Sequence, residues 1–228
     1  MAATTLRRYT PPMGQAVLYD YFRSSAAYRV RIALNLKGVD YERRPVNLVE
    51  SEQKSDGYRA LNPQGLVPML DIDGLKLTQT LSIMVYLDQT RPEPLLMPRD
   101  PADGAHVRGM ALAIACDIHP LNNLRVLKYL KGELGQEQDA IDRWYAHWVT
   151  EGLQALEAMA APRAGAFLFG DTPTIADVCL VPQLYNARRF NIPITPYPTL
   201  RRADETASAL PAFAAAHPDR VAQQEMVK

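Results

Sequence analysis

Two adjacent hydroxyls, Ser24 and Ser25, stand just ahead of an apolar pattern with helical spacing, Val30, Ala33, Leu34 and Leu36, which Gly38 ends. A hydroxyl in that place can cap the helix by accepting a backbone N–H. It can also join those N–H groups in holding an anion. Both roles stay open on the residues alone. Thr80 opens a second such pattern, Leu81, Met84, Val85 and Leu87, directly after Gln79, with the same two readings: ordinary cap or carboxylate site. In Leu66-Val67-Pro68-Met69 the proline starts a strand. It is either a plain strand initiator or a cis proline whose preceding backbone is left to pair with a peptide-like ligand.

Arg23, Arg125 and Arg189 are the cations of interest, because guanidinium forks suit carboxylates better than ammonium groups do. Taken singly, each reads as solvated surface. Lys plus Arg is 25 and Asp plus Glu is 25, so no general field draws nucleic acid or an anionic membrane, and charge recognition must be local. Cys116-x-x-His119 with Asp117 has the look of a metal cluster, but zinc wants three or four ligands and no second group stands elsewhere in the chain. No metal is expected. Cys116 and Cys179 lie far apart without C-x-x-C spacing. They read as structural, dispensable residues of a cytoplasmic protein, away from the serine site. Trp144 and Trp148 read as the core-facing stripe of their helix.

The elements that must position these groups fall into two halves. Residues 16–19 read as a strand, 25–37 as a helix and 41–48 as a strand. A loop region follows, then strands 69–72 and 75–77 around the hairpin signal Asp73-Gly74, then a helix over 80–89. Four prolines between residues 91 and 101 mark a linker. Beyond it the period is helical over roughly 103–130, 136–160 and 174–186, with shorter pieces to about 216 and a frayed last ten residues. Thr174 and Asp177 form a capping box. Residues 1–15 read as a short extension with Met13 as an alternative start, and no apolar run is long enough to span a membrane.

This order, with the motif Arg23-Ser24-Ser25-Ala26-Ala27-Tyr28-Arg29-Val30-Arg31-Ile32-Ala33-Leu34, resembles the glutathione transferases, the zeta class in particular. Ala60-Leu61-Asn62-Pro63, Leu66-Val67-Pro68, Gln79-Thr80, the run from Cys116 to Arg125, Ala176-Asp177 and Leu180-Val181-Pro182-Gln183 extend the match over about residues 16–218. The resemblance implies an α/β thioredoxin-like N-terminal domain (16–92) that binds glutathione. An all-α C-terminal domain (101–220) would take the substrate. It also implies a homodimer.

A thioredoxin-like domain carries its reactive thiols at the start of its first helix. Here that place holds Ser24, Ser25, Ala26 and Ala27, so a borrowed thiol fits the site. The resemblance makes Ser24, Ser25 and Arg23 the catalytic residues, with Ser24 as the thiolate partner and Ser25 also capping the helix. It gives Gln53, Val67, Pro68, Gln79, Thr80, His119 and Asn123 to glutathione, and Arg23, Arg125 and Arg189 to the substrate's carboxylates. Zeta-class members are typically maleylacetoacetate or maleylpyruvate isomerases of tyrosine and aromatic catabolism. The implied activity is therefore glutathione-dependent cis–trans isomerisation of a dicarboxylic maleyl keto-acid. Two alternatives stand beside it: a broad conjugating transferase, and a non-catalytic interaction module. Ala26 occupies the zeta-class cysteine position, which weighs against chemistry that leans on that cysteine.

Overall fold

The structure is a computed structural model that describes residues 14–226, so the extension read over residues 1–15 lies, as far as residue 13, outside the described residues. The first half runs β1 (Ala16–Asp20), α1 (Ser25–Leu36), β2 (Tyr41–Pro45), a 3-10 turn (Glu52–Lys54), α2 (Asp56–Leu61), β3 (Met69–Ile72), β4 (Leu75–Leu77) and α3 (Thr80–Thr90). The strands lie in the order β2-β1-β3-β4. β1 and β2 are parallel from Ala16 opposite Tyr41 to Asp20 opposite Pro45. Parallel neighbours need a crossover, and α1 supplies it. β3 runs antiparallel to β1 and to β4. Asp73 and Gly74 both take positive φ, 55° and 76°, the pair of values that a two-residue hairpin of matching twist requires.

The second half is helical: α4 (Pro101–Leu112), α5 (Leu124–Gly132), α6 (Gln138–Ala160), α7 (Ile175–Arg189), α8 (Pro198–Ser208), α9 (Pro211–Ala216) and α10 (Pro218–Met226). Four expectations need correction. The helix expected over 103–130 is interrupted by a π-helical stretch, Ala113–Ile118, and a 3-10 turn, Pro120–Asn122. Pro120 has no N–H to continue the ladder. The chain restarts as α5 when Asn123 Oδ1 accepts the Arg125 N–H at 3.0 Å. Pro101 belongs to α4 rather than the linker, at a first-turn position that costs no hydrogen bond, with Asp100 capping it. The expected loop region contains α2. The frayed tail is helical as far as Met226, with Val221 buried at its base.

Helix α1 is buried along its length from Ser25 to Leu34 and packs against α3, α7 and α9. That placement buries Arg31, and the fold satisfies it completely. Its guanidinium donates to Asp20 Oδ2 at 2.8 Å, to the Ala216 carbonyl at 3.0 Å and to the Phe22 carbonyl at 2.9 Å, while Arg43 completes the pair on Asp20. Removing one member of such a buried network costs about 3–5 kcal/mol, so β1, α1 and α9 are locked together. The capping box at the start of α7 forms as expected. The Asp177 carboxylate accepts from the Thr174 N–H and Oγ1 and from the Leu168 N–H. The core stripe of α6 is Ile141, Tyr145, Val149, Leu153, Leu156 and Ala160. Trp144 and Trp148 flank it half-buried, one position off the expected stripe. Trp144 Nε1 instead donates to the Leu121 carbonyl at 2.9 Å, pinning the interrupted segment.

Candidate active site

Three adjoining cavities, of about 280, 370 and 160 Å3, make one cleft between the sheet half and the helical half. Joined, they have the size of a small-ligand site. Every residue put forward from the sequence lines at least one of them. Arg23, Ser24, Ser25 and Arg189 face the first, with His119 and Asn123. Val67, Pro68, Gln79, Thr80 and Arg125 face the second. Gln53 joins Ser24, Val67 and Arg125 in the third. His119 and Asn123 border all three, so the interrupted segment before α5 is the cleft's shared wall.

Ser24 is the residue whose role differs from the expectation. It sits at the N-cap of α1 with extended backbone, and its Oγ accepts the Ala27 N–H at 3.2 Å. Ser25, expected to be the cap, is the first helical residue and is buried. One serine can serve both purposes, because accepting through a lone pair leaves the Ser24 O–H to donate. Ala26 lies beside it on the cleft, so no side-chain thiol stands at the start of this helix.

Behind these groups the backbone is held by short polar contacts. Tyr58 Oη and Asn62 Nδ2 both donate to the Leu66 carbonyl, at 2.8 and 2.7 Å. This fixes the approach to Val67-Pro68, whose peptide bond is cis. Gly65 takes φ +58°, and a Cβ there would lie 2.8 Å from the Gln53 carbonyl oxygen, so the Gln53 turn packs directly on the segment that leads to Val67-Pro68. Gln53 Oε1 is buried with no hydrogen-bond partner among the described residues. Gln79 is held at φ 66° and donates through Nε2 to Gln64 Oε1 at 3.0 Å. Its side chain does not cap α3, which leaves the first N–H groups of that helix toward the cleft at Thr80.

The cations differ in how firmly they are placed. Arg189 lies over the Tyr185 and Phe190 rings, 5.8 and 5.7 Å from their centroids, and Phe190 stacks on Tyr145. Arg23 lies 5.0 Å from the Phe22 ring centroid and donates to Tyr21 Oη at 3.3 Å. Arg125 is exposed at the first turn of α5. Desolvation, reinforced by the charges of Arg29 and Arg125, pushes His119 down to about 3. Its imidazole is therefore neutral and offers a hydrogen bond, not a charge.

Several cleft residues escaped the sequence reasoning. Asn186 precedes Arg189 by one turn on the same face of α7, a spacing that was available in the sequence. Cys116 is exposed and lines the second cavity beside Ala26, contrary to the expectation that it sits away from the site. The π-helical stretch, which a regular helical period does not anticipate, is the segment that carries it. Cys179 is buried as expected, and burial pushes its thiol up to about 11. Among the described residues no group of His, Cys, Asp and Glu could hold a metal ion.

Residues 14–89 match the family described as Glutathione S-transferase, N-terminal domain, and residues 138–218 match Glutathione S-transferase, C-terminal domain. The chain is 49% identical to a probable maleylacetoacetate isomerase of Vibrio cholerae, over 91% of this chain and 97% of that protein. Among solved structures it is similar to the holo structure of maleyl pyruvate isomerase, a bacterial zeta-class glutathione S-transferase. The TM-score is 0.87 at 45% identity, covering 90% of this chain and 97% of that one. It is also similar to maleylacetoacetate isomerase from Anaeromyxobacter dehalogenans with glutathione bound, with a TM-score of 0.82 at 44% identity, covering 90% and 96%.

Proposed function

Because the chain belongs to the glutathione transferase family, we propose that it is a glutathione-dependent cis–trans isomerase converting a maleyl keto-acid to its fumaryl form in aromatic or tyrosine catabolism. One observation carries this reading. A helix N-terminus with a serine cap and no thiol of its own opens onto the same cleft as Arg23, Arg125 and Arg189.

The residues fit glutathione. Gln53 Oε1 lacks a partner, the Val67 backbone N–H and C=O are engaged by no other described residue, and α3 presents its first N–H groups at Thr80. Val67 would pair with the peptide, Gln79 and Thr80 would receive the γ-glutamyl carboxylate, and Gln53, His119 and Asn123 would close the remaining sides. When bound, glutathione supplies the thiol nucleophile that makes the double bond temporarily single, and it is not consumed.

The chain's own contribution is placement and charge. The first turn of α1 and the Ser24 O–H hold a thiolate in preference to a thiol. Arg125 and Arg189 hold the carboxylates of the acid, and Arg23 guards the mouth. Guanidinium groups on the cleft would also offset the charge that forms on the acid's carbonyl oxygen when the thiolate adds and that persists while the bond is single. In this division of labour residues 16–92 take glutathione and residues 101–220 take the acid. A cytoplasmic homodimer belongs to the same proposal.

The test is turnover of maleylacetoacetate and of maleylpyruvate with glutathione well below the substrate concentration. Conversion to the fumaryl form with glutathione recovered is expected. Glutathione consumed one for one would make the protein a conjugating transferase. Failure to bind a glutathione matrix would make it a non-catalytic module.

A further inference from the structure

Two arginines of α1 are buried, and the fold treats them differently. Arg31 is 0% exposed and carries one carboxylate and two carbonyl partners. Arg29 is 1% exposed, yet its Nε and Nη2 have no hydrogen-bond partner, and no carboxylate forms an ion pair with it among the described residues. It lines the second cavity, with Ala26, Thr80, Cys116 and His119. Burial opposes its charge, and an uncompensated buried cation costs several kcal/mol. Residues that pair Arg31 could in principle have been matched at Arg29, or the position could have been apolar like its neighbours Tyr28 and Val30. Neither has happened. The opposite charge that Arg29 lacks is therefore to be sought in the cavity that it lines.

We propose that Arg29 is a carboxylate-binding residue at the floor of the cleft, completing its hydrogen bonds on a carboxylate of the bound ligands. This rests on the reading of the cleft as a glutathione and dicarboxylate site. Two sources share that chemistry, glutathione itself and the acid substrate. Arg29 differs from Arg23, Arg125 and Arg189 in being desolvated before any ligand arrives, so its pairing is stronger and its cost falls on the ligand-free protein.

That cost gives the test a readout independent of turnover. Arg29→Met and Arg29→Lys would be compared with the wild-type chain for thermal midpoint without ligand. Kd would be measured separately for glutathione and for succinate, an unreactive dicarboxylate. Arg29→Met removes an unpaired charge while keeping volume, so its ligand-free midpoint is expected to rise by about 2–10 °C. Its affinity for one of the two probes is expected to fall at least tenfold, about 1.4 kcal/mol. The probe affected identifies the source of the carboxylate, and Arg29→Lys should recover part of the loss. A lower midpoint in Arg29→Met with both affinities unchanged would assign Arg29 to buried water and overturn the proposal. If Arg29→Met does not fold, Arg29→Lys decides, because loss of the planar fork weakens a bound carboxylate but not a merely structural charge. Unchanged Kd for both probes in that variant overturns it too. Isomerase turnover enters none of these measurements, so the absence of that activity would not be mistaken for failure of the Arg29 site.

Discussion

Replacing Ser24 separates its two roles, and Gly does so better than Ala. A free thiol titrates near ~8.5. The α1 N-terminus contributes about 0.3–2 kcal/mol to holding a thiolate, and a hydroxyl donated to a charged sulfur adds about 1.5–3 kcal/mol. At about 1.4 kcal/mol per unit, bound glutathione should titrate at roughly 5–7. Removing the Ser24 O–H returns about one to two of those units. The same side chain caps α1 through a 3.2 Å bond to the Ala27 N–H, at the long end of the useful range. Loss of the cap should cost about 0.5–1 kcal/mol in Ser24→Ala but only a few tenths in Ser24→Gly. Thiolate absorbance against pH, measured alongside thermal midpoints, tests both numbers. The two variants should shift the titration equally and the stability unequally. Ser25→Ala, at a buried position inside the first turn, should leave the titration where it is. An unchanged titration in both Ser24 variants refutes the assignment, and a shift in Ser25→Ala instead transfers the role.

Arg125→Ala and Arg189→Ala should each lower kcat/KM for a dicarboxylic substrate by about thirty-fold or more if the pair is desolvated on binding, with glutathione affinity little changed. Arg23→Ala should do less, and full efficiency in the first two would remove the maleyl-acid reading. Iodoacetamide should label Cys116, exposed in the cleft, and spare Cys179, buried with its thiol at about 11. Labelling that glutathione does not slow would place Cys116 outside the bound ligand's reach. His119 is held neutral with its pKa lowered from 6.5 to about 3. The native state thus binds fewer protons than the unfolded state, so this contribution is complete above about 6.5 and fades as pH falls toward 3. An NMR titration that shows His119 protonating near 6.5 in the folded protein would contradict it. Gly65→Ala meets both the positive φ and the Gln53 carbonyl at 2.8 Å, and should cost about 1–3 kcal/mol while weakening glutathione binding through Gln53. Equal stability and affinity would show that the Gln53 turn yields freely.

Much of the molecule is written in local sequence, because local sequence sets period, caps and turns. The β-α-β and β-β-α order, the Asp73-Gly74 hairpin and the Thr174–Asp177 capping box all depend on residues a few positions apart, and they appear in the structure where the residues place them. The hydroxyls, the proline and the arginines could also be named, since their chemistry is visible in the residue type. Long-range packing determined the remainder. The helical period over 103–130 runs through Pro120 and carries no sign of the break there, nor of the π-helical stretch before it that turns Cys116 into the cleft. Ser24 and Ser25 differ in role by one residue of helix phase, which only the backbone fixes. Arg29 and Arg31 are two positions apart in one helix and alike in sequence. One meets Asp20 and the end of α9, and the other meets a cavity. Partners for a buried charge come from segments distant in the chain, so which arginine is structural and which awaits a ligand is decided by the tertiary fold alone.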